Sequence, residues 1–292
     1  MKERAPHQPH KPAAIGRFLA RIKGGRWLYP LYAARQLYLK EHMLAYEHLP
    51  PALDGLRIAY VSDIHYGSLL DETRVRDLVA RVNALSPDLI ILGGDYGEDA
   101  ANTLRFWQIA PAFQARLGVC GVLGNHDRAE ASAATLCAAM RKHGVISLVN
   151  STHFFSIDSA RLAVGATDDC NHGQPNYAAV KRQRRNADFA IFAPHSPDAL
   201  KGAFALGDPP FFDLALCGHT HGGQICLGSF APYTASKYGI RYGNHYRSGE
   251  ISEHGTRIII SNGVGTTFLP LRLFAPPQYH LITLRAGTAP NS

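Results

Sequence analysis

The sequence is short of the features that mark disulfide-rich, membrane-spanning and secreted proteins. Its five cysteines are odd in number, widely spaced and free of any C-x-x-C pair, which excludes a disulfide framework and a zinc ribbon and favours a reducing compartment. The longest apolar or aromatic stretch near the N-terminus, residues 27–34, is far shorter than the roughly 20 residues that a spanning helix needs. No apolar signal-peptide core and no twin arginine follow the basic N-terminus, so we predict a cytoplasmic protein.

Charge is also scarce and unevenly distributed. Charged residues make up 18% of the 292 residues, and the 30 Lys and Arg exceed the 23 Asp and Glu by seven. Residues 1–50 hold nine of these bases and three of the acids, so this segment carries +6 and the rest of the chain only +1. The main body therefore lacks the basic surface of a nucleic-acid-binding protein, and we expect no nucleic-acid partner. With 46% hydrophobic residues, the chain can bury a substantial core.

We predict two parts, a basic N-terminal arm over residues 1–50 and a compact domain over residues 51–292. The start of the arm, rich in His, Pro and Lys, is expected to be disordered. An amphipathic, aromatic-rich segment begins at Ile15 and ends at Leu39, with apolar residues at helical spacing. This segment either makes peripheral contact with the inner face of an anionic membrane or packs its apolar side on the domain, and the sequence leaves both open.

Within the domain, short β-branched runs alternate with helical patterns. Residues 56–149 show the order βαβαβαβ, which is typical of a largely parallel sheet, whereas the second half has less helix and six further strand-like runs. Two facing sheets with helices outside fit this order better than one doubly wound sheet. We therefore predict an α/β fold with two sheets.

Residues of the kind that bind metals follow five of these strand-like runs. They are Asp63 and His65, then Gly94-Asp95, then Gly124-Asn125-His126-Asp127, then His195, and finally Gly218-His219-Thr220-His221-Gly222-Gly223-Gln224. Ligands of α/β sheets bind at the carboxyl ends of the strands, and carboxylate, imidazole and amide oxygen are donors for Mn, Fe and Zn. Glycines in these turns allow the backbone to approach a metal centre closely.

These motifs resemble the five-motif signature of the calcineurin-like metallophosphoesterases over nearly all of residues 56–285. The resemblance implies a four-layer αββα sandwich, in which two mixed β-sheets flanked by helices hold two divalent ions (Mn, Fe or Zn) at the strand ends. By motif, one ion would be bound by Asp63, His65 and His221 and the other by Asn125, His195 and His219, with Asp95 bridging both. His126 would face the substrate.

Such a site suits hydrolysis without a covalent enzyme intermediate. Two ions about 3.5–4 Å apart need a shared anionic ligand, for which Asp95 is the candidate, and they activate a water for in-line attack on phosphorus. His126 can protonate or stabilise the leaving oxygen. The carboxylate that orients His126 is either Asp127 or Glu98, and the sequence does not choose between them.

Two further features indicate a branch of the superfamily. The residues after Asp95-Tyr96 lack the arginine with which the protein phosphatases grip a phosphate monoester, which weakens that interpretation. Residues 218–224 and 261–267 resemble the bacterial YkuE/YaeI-like phosphodiesterases, a group similar to enzymes that cleave UDP-2,3-diacylglucosamine in lipid A synthesis. The expected substrate is therefore a phosphodiester or a nucleotide pyrophosphate, including a lipid-linked one.

A long segment after His221 is predicted to form part of the substrate wall, because arginine and tyrosine suit phosphate and base or acyl contacts. The candidates are Tyr238, Arg241, Tyr242 and Arg247, with Asn262 and Arg272 further along the chain. Three functions stay open: a general phosphodiesterase or pyrophosphatase, a UDP-2,3-diacylglucosamine pyrophosphatase, and a catalytically silent scaffold on the same fold. The complete ligand set argues against the scaffold.

Overall fold

The protein is described by a computed structural model that covers residues 33–129, 131–207, 212–228, 231 and 244–287. Its strands are β1 (Tyr38–Tyr46), β2 (Arg57–Val61), β3 (Leu89–Leu92), β4 (Gly118–Gly121), β5 (Val145–Ser147), β6 (Ser151–Ile157), β7 (Ala160–Ala166), β8 (Phe189–Phe192), β9 (Leu214–Cys217), β10 (Gly249–Glu253), β11 (Thr256–Ile260) and β12 (Gln278–Ala286). The α-helices are α1 (Glu72–Ala84), α2 (Ala100–Ile109), α3 (Asn125–Arg128), α4 (Ala133–Lys142), α5 (Tyr177–Gln183) and α6 (Asp198–Phe204).

The strands form two six-stranded sheets, and both are mixed, as predicted. The first sheet has the order β1-β12-β2-β3-β4-β5, in which β2 to β5 are parallel and β12 is antiparallel to β2. The second has the order β10-β11-β9-β8-β7-β6, in which β11, β9, β8 and β7 are parallel between two antiparallel edge strands. The carboxyl ends of the parallel strands therefore meet at one edge of each sheet.

Both faces of each sheet are buried, which defines four layers. In β3, Leu89 and Ile91 belong to the apolar core between the two sheets, whereas Ile90 and Leu92 pack with residues of α1, α2 and α4. Strand β9 alternates in the same way, with its outer residues packed among those of α5 and α6. Buried parallel strands read as continuous apolar runs because both of their faces are covered. The architecture is the αββα sandwich that the motifs implied.

Side-chain caps fix the start of the two helices that follow β2 and β3. The Asp71 carboxylate accepts a hydrogen bond from the backbone N of Arg74, and the Asp99 carboxylate accepts one from Asn102. These bonds satisfy N–H groups that have no partner inside a helix. The cap of α2 also ends the loop that carries Asp95.

The structure differs from the predicted boundary at residue 50. Residues 38–46 form β1, which pairs in parallel with β12 at the edge of the first sheet, so they belong to the domain rather than to the arm. Most side chains of β1 and of the unpredicted β10 are exposed or half-exposed, so neither strand has an apolar run that would reveal it. Residues 15–32 of the amphipathic segment lie outside the described residues. Within the described part, no helix is long and apolar enough to span a membrane.

Candidate metal centre

The five motif-bearing loops converge at one edge of the sandwich, between the two sheets. Loops after β2, β3 and β4 place Asp63, His65, Asp95, Asn125 and His126 there, and loops after β8 and β9 place His195, His219 and His221 opposite them. All of these side chains except Asn125 and His126 are buried. The structure thus brings together every metal ligand that the motifs implied.

The backbone of this region is held in an unusual conformation. The residues with φ between 48° and 69° include Asp63, His65, Asp95, His219 and His221. Side chains other than glycine rarely adopt this left-handed region, and such residues cluster at functional sites. Glycine is needed beside them, because a Cβ on Gly124 would lie 2.1 Å from Oδ1 of Asp95. The loops are therefore shaped to aim side chains at a common point.

The first ligand group consists of Asp63, His65 and His221, whose donor atoms all lie within 4.8 Å of one another. Nε2 of His65 is 3.1 Å from Nε2 of His221, which in turn is 3.7 Å from Oδ1 of Asp63. Burial holds the pKa of His221 well below its usual range and so favours the neutral imidazole that binds metals. Nδ1 of His65 lies 3.0 Å from Oε2 of Glu98. Burial opposes the charged form of His65, but the bond to Glu98 raises the pKa of His65 to about 8.

The second ligand group consists of Asn125, His195 and His219. Oδ1 of Asn125 is 2.7 Å from Nδ1 of His219 and 3.0 Å from Nε2 of His195. The other nitrogen of His195, Nδ1, lies 2.7 Å from the backbone oxygen of Gly93, which fixes the ring. Burial lowers the pKa of His219 to about 3, so this imidazole is also neutral.

Asp95 lies between the two groups. Its Oδ2 is 3.6 Å from Nε2 of His65 and 3.2 Å from Nε2 of His195, and its Oδ1 accepts a hydrogen bond from the backbone N of His126 at 2.8 Å. Burial opposes the charge on Asp95, but the neighbouring His195 and His126 hold its pKa well below the usual range. Carboxylate, imidazole and amide donors grouped about a shared carboxylate fit two divalent metal ions.

Neither predicted carboxylate orients His126. Nδ1 of His126 lies 2.9 Å from the backbone carbonyl oxygen of Glu98, while the Glu98 carboxylate faces His65. The half-buried His126 ring packs edge-on against His65 with a centroid distance of 4.7 Å. The prediction that the carboxylate of Asp127 or Glu98 orients His126 is therefore wrong. The partner is a backbone carbonyl, which the residue types of a sequence cannot indicate.

Asp127 instead holds neighbouring loops together. Its carboxylate accepts hydrogen bonds from the backbone N atoms of Asp95, Tyr96 and Gly124 and from Oγ1 of Thr103, at 2.8–3.1 Å. Burial and the nearby Asp95 raise the pKa of Asp127 to about 6. Since Asp127 is fully buried, it positions the backbone of Asp95 and is not accessible to a substrate.

The predicted substrate wall is only partly described. Tyr238, Arg241 and Tyr242 lie outside the described residues. Arg247 is half-buried next to the loop of His219, where its backbone oxygen accepts a hydrogen bond from Oγ1 of Thr220 at 2.6 Å. A contact of Arg247 with substrate therefore stays a prediction.

The prediction that Arg272 contacts substrate is wrong. The side chain is 0% exposed, and its guanidinium donates hydrogen bonds to backbone oxygens of His221, Asn262 and Gly265. An arginine fork suits several carbonyls at once, so Arg272 supports the loop of His221 from below. Asn262, whose backbone oxygen accepts one of these bonds, is 5% exposed. A contact of Asn262 with substrate stays a prediction.

Two acidic residues after β7, near the centre, were not predicted as part of the site. The loop after β7 carries Asp168, which binds Arg128 of α3 through Oδ1–Nε and Oδ2–Nη2 distances of 2.9 and 3.1 Å, and Asp169, which is buried. The sequence held a signal for these residues, because both follow one of the six strand-like runs of the second half, residues 161–165, at the end where ligands bind.

Comparison with known proteins agrees with this geometry. The family model for calcineurin-like phosphoesterases matches residues 56–223. The chain is 32% identical to YpbG of Bacillus subtilis over 259 residues, covering 87% of this chain and 90% of YpbG, and 28% identical to the metallophosphoesterase YkuE of the same organism over 268 residues, covering 90% and 91%. It is 26% identical to the phosphodiesterase YaeI of Escherichia coli over 235 residues, covering 78% and 82%.

The ligand set and these matches define the class, a metal-dependent phosphoesterase. Within that class, the chain belongs to the calcineurin-like phosphoesterase family, as the motifs predicted.

Proposed function

We propose that the protein hydrolyses a phosphodiester or pyrophosphate bond at a centre of two divalent ions. The ligands would be Asp63, His65 and His221 for one ion and Asn125, His195 and His219 for the other, with Asp95 shared. When bound, the ions supply positive charge that neutralises the phosphoryl oxygens and acidifies a water nucleophile.

The position of Asp95 is the observation that carries this proposal. Its two oxygens face different partners: Oδ2 lies within 3.6 Å of a nitrogen from each ligand group, and Oδ1 is held by the backbone of His126. A carboxylate in that position offsets the repulsion between two cations. The same backbone bond fixes the distance between the shared carboxylate and the His126 ring.

His126 is proposed to handle the leaving group. With Nδ1 donating to the carbonyl of Glu98, the neutral ring leaves Nε2 as the atom that takes up a proton and delivers it to the leaving oxygen. The ring is half-buried, unlike the ligand imidazoles, so a substrate can reach it. No covalent intermediate is required, because the bound ions would activate water as the nucleophile.

Phosphorus NMR of the Mn²⁺-reconstituted protein tests this function. The substrates are a simple diester, a monoester and a UDP-sugar pyrophosphate, and Asp95→Asn controls for contaminating activity. We expect the wild type alone to cleave the diester or the pyrophosphate. Equal cleavage by Asp95→Asn, or none of any substrate by wild type with two bound ions, would contradict the proposal.

A narrower second candidate is a UDP-2,3-diacylglucosamine pyrophosphatase, and an apolar rim beside the centre favours an acylated substrate. The rim residues Leu227, Phe268, Leu269 and Phe274 are 61%, 44%, 43% and 69% exposed. Phe268 and Phe274 also have left-handed φ values of 58° and 55°, which bulky residues seldom adopt. The rim borders the site through Gln224, whose Oε1 accepts a bond from the backbone N of Thr267 at 3.0 Å.

This candidate includes peripheral membrane contact by residues 15–39, and it predicts two separable effects. Leu269→Ser should raise KM for an acylated sugar nucleotide while leaving soluble diester turnover unchanged, with Met43→Ser, an exposed apolar residue on β1, as the control. Deletion of residues 1–32 should reduce binding to anionic vesicles. Equal loss on both substrates in Leu269→Ser would count against an acyl-binding rim.

A further inference from the structure

The two ligand groups differ in negative charge. The first contains the carboxylate of Asp63, and a second carboxylate, that of Glu98, lies behind His65. The second group offers an amide and two imidazoles, and His195 is backed by a neutral backbone carbonyl. Apart from the shared Asp95, the second group therefore has no charge of its own to offset a divalent cation.

Asp169, in the loop after β7, is a buried carboxylate with one oxygen to spare. It is 3% exposed, and its Oδ2 accepts hydrogen bonds from the backbone N atoms of Asn171 and His172 at 2.9 and 2.6 Å. Its Oδ1 is buried without a hydrogen-bond partner. A buried carboxylate oxygen in that state is costly unless a positive charge lies nearby.

The topology places Asp169 beside the second ligand group. Strands β7 and β8 are parallel neighbours, and the backbone N of Ala193 donates to the oxygen of Gly165, so the chain after β7 runs along the chain that carries His195. The neighbouring Asp168 binds Arg128 of α3, the helix that begins at Asn125, at 2.9 and 3.1 Å, which holds this loop against the second ligand group.

We propose that Asp169 is a positioning residue that supplies negative charge to the second ligand group and so raises the affinity of Asn125, His195 and His219 for a divalent cation. This inference rests on the ligand assignment of the proposed function. A carboxylate outside the ligand set adds to cation affinity through its field and through ordered contacts.

A purely structural role makes a different prediction. If Asp169 only caps the loop, the Asp169→Asn side chain would serve as well, because its amide oxygen can accept from Asn171 and His172. The substitution removes the charge and keeps the shape. Asp188→Asn is the matched control, since Asp188 also accepts a backbone bond, from Arg161 at 2.7 Å, at the opposite end of β7 and β8.

The test is a titration of metal-depleted full-length protein with Mn²⁺ alone, in which free Mn²⁺ is followed by electron paramagnetic resonance. We expect two binding steps in the wild type and in Asp188→Asn. Asp169→Asn should keep the stronger step and weaken the other by about 10–100-fold, the range that outer ligand contacts contribute. Adding Asn125→Asp to Asp169→Asn should restore the second step, because it returns a negative charge to that group.

Thermal unfolding gives an independent result. Without metal, Asp169→Asn should melt at or above the wild-type temperature, because an uncompensated buried charge is gone, and its gain in melting temperature on Mn²⁺ addition should be smaller. Unchanged Mn²⁺ steps, equal weakening of both steps, or a metal-free variant that is destabilised or unfolded would each overturn the inference. A wild type that binds two ions but cleaves no phosphoester would instead refute the proposed function.

Discussion

The first and second sheets contribute unlike donors to the candidate metal centre. Loops of the first sheet supply both carboxylates among the proposed ligands, Asp63 and Asp95, together with an amide, an imidazole and His126, the proposed contact to substrate. Among the described residues, loops of the second sheet supply three imidazoles and no anionic ligand to the proposed centre. The first sheet therefore provides the charge that attracts cations, and the second completes their coordination with neutral donors.

The residues that hold these ligands in place also differ in charge between the two sheets. Behind the first sheet's loops lie carboxylates, with Glu98 bound to His65 and Asp127 bound to the backbone of Asp95. Behind the second sheet's His221 lies the cationic Arg272, bound to backbone oxygens. On the proposed assignments, most of the negative charge at the centre comes from the first sheet and Asp169 adds charge from the second, so substitutions can separate charge from geometry. Five substitutions test this division, and they are given in the order of their expected effect on metal binding.

Asp95→Asn should have the largest effect, because it removes the one charge shared by both groups. Both Mn²⁺ steps should weaken by more than the roughly 10–100-fold typical of residues outside the ligand set, and turnover should be lost. Mn²⁺ titration and phosphorus NMR measure the two effects. A variant that keeps one step at wild-type affinity would show that Asp95 serves a single ion.

Asp63→Asn and His219→Gln compare the sheets directly, since one removes a charge and the other exchanges one neutral donor for another. We expect Asp63→Asn to weaken both steps, because the lost field reaches both ions, and His219→Gln to weaken mainly one. The same titration separates them. If both variants weakened only one Mn²⁺ step, and by the same factor, charged and neutral ligands would not differ in their effect.

Glu98→Gln should have a smaller and more local effect. It keeps the shape of the side chain but lowers the basicity that Glu98 gives to His65, whose Nδ1 lies 3.0 Å from it. We expect about a 10–100-fold loss in one Mn²⁺ step and none in the other. The half-exposed Glu72 of α1 provides the control variant, Glu72→Gln, and an equal shift there would indicate a general charge effect.

His126→Ala should leave both Mn²⁺ binding steps unchanged, because His126 is not among the proposed metal ligands. Its loss should lower kcat by about 10²–10⁴-fold, as expected when a general acid is removed. The deficit should be smaller for a substrate whose leaving group is already acidic, such as a nitrophenyl diester. Loss of bound metal in this variant would contradict the role assigned to His126.

The part of the site that could be predicted from the sequence consists of the side chains that follow the ends of strands. Each motif pairs a buried apolar run with a metal-type donor, and three of the five add glycine, so the order of the sequence was enough to place Asp95 and His219 at one edge. The wrong assignments, for the group that orients His126 and for Arg272, both involve backbone carbonyls as partners. A carbonyl is present at every residue, so no pattern of residue types can indicate which one is used.

The same reasoning explains the fold. Central strands such as β3 are buried on both faces and are apolar throughout, so they were predicted. Strands β1 and β10 lie at sheet edges, where solvent accepts polar side chains and only backbone pairing defines the strand. The sequence therefore predicts the layers, the ligand edge and the edge strands β5 and β6, but not the edge strands β1 and β10.

The insertion of β12 between β1 and β2 has a consequence for biosynthesis. The ribosome releases Asp63 and His65 early, but their strand β2 has no partner on one side until Gln278–Ala286 has been made. Pairing across such a sequence separation is slow and comes late in folding. The nascent chain thus carries an unfinished first sheet until its last strand is synthesised, and a hydrolytic centre becomes competent only once translation of the domain is complete.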